Sequence, residues 1–116
     1  EVLRAVGRVI EANCREVDVC ARYGGDEFSV LLPHTTPDEA MEVAQRILHE
    51  FGIMASSLPP GEPSLGISIG LAHNELSRPS NADQLVTHAD EALYGSKERG
   101  GSCIVVHDDR QLRSVA

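Results

Sequence analysis

A short acidic segment that follows two consecutive glycines, Gly24-Gly25-Asp26-Glu27, has the residue types of a site for a metal ion and a phosphate. The glycines let the backbone approach a ligand closely, since they have no Cβ and tolerate positive φ. Turn N–H groups that point the same way form a nest for an anion, and two carboxylates supply the oxygen ligands that Mg²⁺ prefers. The same four residues are also ordinary chemistry for a hydrophilic hairpin turn, so the segment alone leaves both interpretations open.

The flanking pattern places this acidic segment at the tip of a β-hairpin. Residues 17–23 and 28–32 are predicted strands on either side of it, and Pro33 ends the second strand. The hairpin would hold both carboxylates at one exposed end of the sheet.

The rest of the chain alternates between predicted helices and strands. Helices are expected over residues 1 to about 15, from a cap at Thr36 to about Phe51, and from Ser80-Asn81 to about Gly100, the last two with capping-box starts. This order predicts an α/β (α+β) fold with a central, mostly antiparallel sheet flanked by helices. The remaining segments are strands over 65–72 and 103–107, a loop over 52–63 and a polar tail over 108–116.

Composition narrows the class of protein. The 116 residues suffice for one domain, and the formal net charge of −8 argues against a nucleic-acid-binding surface. A small nucleotide remains compatible with this charge, because a divalent cation can offset both the acidic pocket and the phosphates. Cys14, Cys20 and Cys103 have no metal-binding spacing and are interpreted as free thiols that pack in a protein of the reducing cytoplasm. No stretch is long and apolar enough to span a membrane.

Several segments, in order along the chain, resemble the GGDEF family of diguanylate cyclases. All five letters of the family signature stand at Gly24 to Phe28, after the usual lead-in Arg22-Tyr23. Downstream, Ser68-Ile69-Gly70 resembles the family's buried strand, and residues 89–94 resemble its AD-x-ALY helix, with Lys97 three residues later. The resemblance covers residues 1–107 and implies the C-terminal two-thirds of a GGDEF domain with a nucleotidyl-cyclase or palm-like fold, followed by a tail or linker over 108–116.

The resemblance implies an activity and roles for particular residues. In this family two GTP-loaded domains meet face to face as a homodimer, and the 3′-hydroxyl of each GTP attacks the α-phosphate of the other to make cyclic di-GMP. Carried over, Asp26 and Glu27 would be the catalytic carboxylates and the ligands of Mg²⁺ or Mn²⁺, without a division of roles between them. Gly24, Gly25 and Lys97 would bind the substrate.

A second site is implied just upstream of the signature. Arg15 and Asp18 stand at the position of the family's RxxD inhibitory site, and Arg46 matches the arginine with which family members close it. Arginine offers a bidentate fork to phosphate or to a guanine edge, and aspartate accepts from guanine N–H groups. The resemblance therefore implies feedback binding of cyclic di-GMP. Without the neighbouring signature the pair would be interpreted as a solvated ion pair at a helix end.

The chain also departs from the family pattern. The strand that carries a further metal-binding Asp and the residues that read guanine would lie before Glu1, so we expect a truncated domain with little activity of its own. After Lys97 the family's Gly-Arg-Asn run is replaced by Gly100-Gly101-Ser102, and Gly66 stands where Thr is usual.

Two other functions stay open at this point. One is a non-catalytic receptor that binds cyclic di-GMP through Arg15, Asp18 and Arg46. The absent N-terminal portion favours it, as does the loss of the arginine in the family's Gly-Arg-Asn run, which the resemblance implies would bind phosphate. The other is a regulatory or dimerisation domain attached to a phosphodiesterase domain beyond Ala116.

Overall fold

The computed structural model describes residues 2–24, 26–57, 66–109 and 112–115. The chain divides into two compact units, Glu1–Glu62 and Pro63–Ala116, and each is described by itself. No helix in the described ranges combines the length and the apolar character needed to cross a membrane.

The first unit contains two helices and a β-hairpin. Its elements are α1 (Val2–Ala12), β1 (Val19–Gly24), β2 (Glu27–Leu31) and α2 (Pro37–Ser56). The antiparallel pairing of β1 with β2 confirms the predicted hairpin. Helix α1 ends earlier than predicted, because Asn13 donates its side-chain amide to the Val9 carbonyl at 2.8 Å and the backbone tightens there into i→i+3 bonds.

Helix α2 begins where the sequence predicts and ends later. Thr36 Oγ1 accepts from the Glu39 N–H at 3.1 Å and Glu39 Oε1 accepts from the Thr36 N–H at 2.9 Å, which confirms the capping box. The predicted loop from residue 52 is wrong over 52–56, which continue the helix. One glycine weakens a helix by only about 1 kcal/mol, so Gly52 does not stop it. The buried face carries Ala40, Ala44, Ile47 and Phe51, and Val6 and Ile10 of α1 are buried as well.

The second unit is a three-stranded sheet with helices. Its elements are β3 (Ile69–Leu71), α3 (Asn74–Ser77), α4 (Ala82–Glu98), β4 (Ile104–His107) and β5 (Leu112–Ser114). β4 is central, parallel to β3 and antiparallel to β5. Ile104, Val105 and Val106 are at most 1% exposed and form the centre of this unit.

The segment after β4 differs from the predicted polar tail. Residues 112–114 form β5, whose backbone pairs with the otherwise open edge of β4. A fully buried strand needs partners for its backbone N–H and C=O groups, which this short polar strand supplies. Helix α3 was not predicted, and β3 is shorter than the predicted strand, part of which lies outside the described residues.

The α+β class is confirmed. In the described parts of the chain the strands form two small sheets rather than one central sheet, one two-stranded and antiparallel, the other three-stranded and mixed.

Gly70 explains the close packing of the second unit. A Cβ added there would lie 2.5 Å from the Ala89 carbonyl oxygen and closer still to the Leu93 backbone nitrogen. Strand β3 therefore packs directly on the backbone of α4, and Ala92 in the same helix is 0% exposed. Only a residue without a side chain fits at this position.

Candidate functional site

The acidic pair lies at the tip of the β1–β2 hairpin, as the sequence predicts. Gly24 pairs with Glu27, and Asp26 lies in the turn between them. Both Asp26 and Glu27 are exposed. Gly25 lies outside the described residues. The carboxylates are thus displayed at an accessible end of the hairpin, where a ligand in solution can reach them.

The hairpin is irregular immediately before its tip. Arg22 pairs with Phe28 and Gly24 pairs with Glu27, so the register shifts between Arg22 and Gly24. Such a bulge leaves one residue of the strand without a partner and bends the strand locally. The bend sets the direction in which the tip and its two carboxylates project.

The donor set of the tip fits part of a magnesium site. Asp26 and Glu27 offer carboxylate oxygens, and Mg²⁺ is commonly held by one or two carboxylates together with substrate phosphates and water. Among the described residues no group of three or more His, Cys, Asp or Glu side chains is placed to hold a metal ion. A metal at this tip would therefore need phosphate oxygens to complete its shell.

The segment from Arg15 to Asp18 is a compact turn closed by an ion pair. The Asp18 N–H donates to the Arg15 carbonyl at 3.0 Å, and the Arg15 N–H donates to Asp18 Oδ2 at 2.7 Å. Arg15 Nη2 lies 3.0 Å from Asp18 Oδ1. The Asp18 side chain is 1% exposed, whereas that of Arg15 is 52% exposed, so the arginine is the accessible member of the pair.

The ion pair shifts the pKa of both groups. The hydrogen bond from the Arg15 side chain, followed by the one from its backbone N–H, lowers the pKa of Asp18. The hydrogen bond to Asp18 raises the pKa of Arg15. The pair is therefore fully ionised at neutral pH.

Arg15 also ties this turn to the end of β2. Its Nη2 donates to the Pro33 carbonyl at 2.7 Å and to Thr35 Oγ1 at 2.7 Å. Thr35 in turn donates to the same Pro33 carbonyl at 3.0 Å. One guanidinium thus links the loop before β1 to the loop after β2, and so holds the base of the hairpin.

Arg46 is joined to the same loop through Asn13. Arg46 Nε donates to Asn13 Oδ1 at 3.1 Å, and Asn13 Nδ2 donates to Glu50 Oε1 at 3.1 Å. The three predicted inhibitory-site residues are therefore all attached to the α1–β1 loop, Arg15 and Asp18 as members of it and Arg46 through its partner Asn13.

Lys97 lies in the other unit, in the last turn of α4, where it is exposed. Nearby Arg99 donates to the Gly95 carbonyl of its own helix at 3.0 Å. Gly100 and Gly101 have φ of 93° and 75°, and their N–H groups donate to the Lys97 and Ser96 carbonyls. These two glycines therefore end the helix.

The two departures from the family pattern are neighbours in the structure. A Cβ added at Gly66 would contact the Ser102 hydroxyl oxygen. The smaller residue at position 66 thus accommodates the serine at position 102.

Two contacts were missed by reasoning from the sequence. Cys14 Sγ lies 2.9 Å from Cys20 Sγ, across the Arg15–Asp18 turn. The rings of His88 and His107 stack with centroids 3.9 Å apart and planes within 5°. The available signal for the first contact was a cysteine on each side of the junction between the predicted first helix and the predicted strand over 17–23. The second contact depends on packing between α4 and β4. Cys103 is buried, as predicted for a packing residue.

Comparison with known proteins identifies the family. The model of "Diguanylate cyclase, GGDEF domain" matches residues 1–103. The chain therefore belongs to the GGDEF domain family.

Curated relatives and solved structures agree with this assignment. The chain is 38% identical over 100 residues to diguanylate cyclase DgcM of Escherichia coli K12, covering 86% of the chain and 23% of the relative. It is 37% identical over 99 residues to diguanylate cyclase A of Treponema denticola, covering 85% and 26%. It thus spans about a quarter of the length of these relatives.

A solved structure of a GGDEF domain also matches this chain. The GGDEF domain of TpbB (YfiN) from Pseudomonas aeruginosa matches with a TM-score of 0.76 and 29% identity. The match covers 92% of this chain and 62% of that GGDEF-only chain.

Proposed function

We propose that this chain is part of a catalytic GGDEF domain and that the protein to which it belongs condenses two GTP molecules into cyclic di-GMP. The observation that supports this most is the exposed pair Asp26 and Glu27 at the tip of the signature hairpin. The named activity of the diguanylate cyclases that the chain resembles supports the same reaction.

The residues of the tip act together in this proposal. The carboxylates of Asp26 and Glu27 accept the proton of the attacking 3′-hydroxyl and hold the metal ion, with no division of roles between them. Gly24 and Gly25 admit the phosphates close to the backbone. A bound Mg²⁺ or Mn²⁺, held by Asp26 and Glu27, would neutralise phosphate charge and lower the pKa of the hydroxyl. Lys97 would add a positive charge for the phosphates, a role that rests on the family resemblance alone.

Catalysis in this proposal needs two copies of the domain. One hairpin tip positions one GTP, and the attacking hydroxyl comes from the nucleotide held by the partner copy. The dimer therefore contributes by orienting two bound substrates, which can supply a large part of the rate enhancement.

The Arg15–Asp18 turn is proposed as the site where the product binds and inhibits. The turn is already ordered by its ion pair and by the contacts of Arg15 with Pro33 and Thr35. A ligand would therefore lose little affinity to ordering this loop. The half-exposed Arg15 would contact a phosphate or guanine edge, and Arg46 would close the site from α2.

A non-catalytic cyclic di-GMP receptor is the second candidate. It uses Arg15, Asp18 and Arg46 in the same way and needs no turnover at the hairpin tip. The ordered Arg15–Asp18 turn favours this candidate as much as it favours feedback inhibition.

Turnover by the full-length protein separates the two candidates. We expect cyclic di-GMP to accumulate from GTP and Mg²⁺, and we expect Asp26→Asn or Glu27→Gln to lower the rate at least 100-fold. Asp38→Asn, an exposed carboxylate in the first turn of α2, is the matched control and should leave the rate within about twofold. A full-length protein that binds cyclic di-GMP but makes none would establish the receptor instead.

A further inference from the structure

The two cysteines of the first unit form a close thiol pair. Cys14 lies just after α1 and Cys20 lies in β1, and their sulfur atoms are 2.9 Å apart. Both residues are partly exposed. Small thiol reagents can therefore reach them, unlike the buried Cys103.

The intervening turn holds the sulfurs together without a covalent bond. Arg15 and Asp18 close this turn through the ion pair described above and through two hydrogen bonds. In one the Arg15 N–H donates to the Asp18 carboxylate, and in the other the Asp18 N–H donates to the Arg15 carbonyl. Because Arg15 is also bonded to Pro33, the turn is fixed to the end of β2. The conformational entropy of closing a ring from residue 14 to residue 20 is thus already lost in the folded chain.

We propose that Cys14 and Cys20 are a redox site, which a small-molecule disulfide such as oxidised glutathione converts reversibly into an intramolecular disulfide. A disulfide has a sulfur–sulfur bond of about 2.0 Å, so the two sulfurs need to approach by only about one ångström from their present contact. This site is independent of the proposed cyclase activity and of the Asp26–Glu27 tip.

The reaction proceeds in two thiol–disulfide exchanges. First, one cysteine sulfur attacks the glutathione disulfide, forms a mixed disulfide and releases one glutathione thiol. The other cysteine then attacks the mixed disulfide, forms the Cys14–Cys20 bond and releases the second glutathione thiol. Two protein thiols are oxidised, one disulfide is reduced, and the two protons leave on the two glutathione molecules.

The environment of Cys14 affects the rate of these steps. Burial, and then its hydrogen bond with Cys20, raise the pKa of Cys14 to about 12. Cys14 therefore keeps its proton at neutral pH. Since the thiolate is the attacking species, oxidation is slow at neutral pH and accelerates as the pH rises.

Peptide mapping of the 116-residue chain tests the site. The chain is equilibrated in mixtures of reduced and oxidised glutathione, acid-quenched, alkylated and digested with trypsin. Cleavage after Arg8, Arg15 and Arg22 makes the disulfide visible as a link between the peptides of residues 9–15 and 16–22. We expect this linked pair, and we expect reduction to separate it.

The comparison between folded and urea-unfolded chain makes the test quantitative. A flexible loop gives an effective thiol concentration in the millimolar range. The glutathione equilibrium gives the effective thiol concentration of the Cys14–Cys20 pair in each state. We expect this concentration to be at least tenfold higher in the folded chain than in the unfolded chain. Equal values in the two states, or only mixed and intermolecular disulfides in the folded chain, would overturn the proposal.

Single substitutions provide the controls. Cys14→Ser and Cys20→Ser should each abolish the linked peptides, whereas Cys103→Ala should retain them. A linked pair that includes residue 103 instead would contradict the assignment of the site to Cys14 and Cys20.

Discussion

The backbone of Gly70 in β3 lies against the backbone of Leu93 in α4, with no room for a side chain between them. This contact accounts for the glycine of the Ser68-Ile69-Gly70 motif in terms of packing. It also lets a short strand bring the sheet close to the small-residue face of α4, on which Ala92 is fully buried.

Replacing Gly70 by alanine should destabilise the second unit. The added Cβ meets the Ala89 carbonyl and the Leu93 nitrogen, which are backbone atoms and cannot rotate away. Overpacking of this kind costs ~1–3 kcal/mol or more. The measurement is urea unfolding followed by circular dichroism.

Gly52→Ala is the matched control for this substitution. A Cβ at Gly52 in α2 would have no atom within 4 Å, so the change should stabilise the chain by up to about 1 kcal/mol. Similar unfolding midpoints for the two variants would contradict the close packing at Gly70.

The Arg15–Asp18 pair should make the first unit sensitive to acid. The pKa of Asp18 is lowered from 3.8 in the folded chain, so the folded state binds fewer protons than the unfolded state in this range. The stability from the pair is present above about pH 4 and is lost as the pH falls through the folded pKa. Asp18→Asn should flatten the dependence of the unfolding free energy on pH below about pH 4.

Alkaline pH should weaken the fold through Cys14. Its pKa is raised from 9.0 to about 12, so the folded state keeps a proton that the unfolded state loses. The associated stability is present below pH 9 and decreases as the pH rises toward 12. Comparing the reduced chain with its Cys14→Ser variant at pH 8 and at pH 10.5 measures this, because the difference in unfolding free energy should shrink at the higher pH. An unchanged difference would show that Cys14 titrates normally.

Product binding should require the guanidinium group of Arg15 and not only its positive charge. Lysine keeps the charge but loses the planar fork that contacts Asp18, Pro33 and Thr35 together. Calorimetric titration of cyclic di-GMP should show at least a tenfold loss of affinity for Arg15→Lys.

Arg78→Lys is the control for that titration. Its guanidinium pairs with Asp109 at 3.9 Å in the second unit and should be replaceable without effect. A thermal melt of each variant separates loss of the site from loss of the fold. Unchanged affinity in a folded Arg15→Lys variant would contradict the role of the turn in product binding.

The features that the sequence predicted correctly are those that depend on local chemistry. The Thr36–Glu39 capping box and the hairpin around Gly24 to Glu27 each involve residues within a few positions of one another. The start of α4 is similar, since Asn81 accepts from the Gln84 N–H at 2.8 Å.

The features that were missed depend on the three-dimensional structure rather than on a local sequence pattern. The β5 strand at residues 112–114 exists because β4 offers it a backbone edge, which no local pattern in those polar residues reveals. The Cys14–Cys20 contact required the turn of Arg15 and Asp18 to be known in three dimensions.

The parallel pairing of β3 with β4 has a consequence for the order in which the chain acquires structure during synthesis. The hairpin partners Arg22 and Phe28 leave the ribosome almost together. Strands β1 and β2 can therefore pair as soon as both have emerged. Ile69, in contrast, must wait for Ile104, which is made only after the whole of α4. Until then β3 lacks the β4 edge with which it pairs, while α4 offers it a surface to pack on. The absence of a side chain at Gly70 would thus serve a nascent chain as well as a finished one, because it lets the waiting strand dock on the helix before its partner exists.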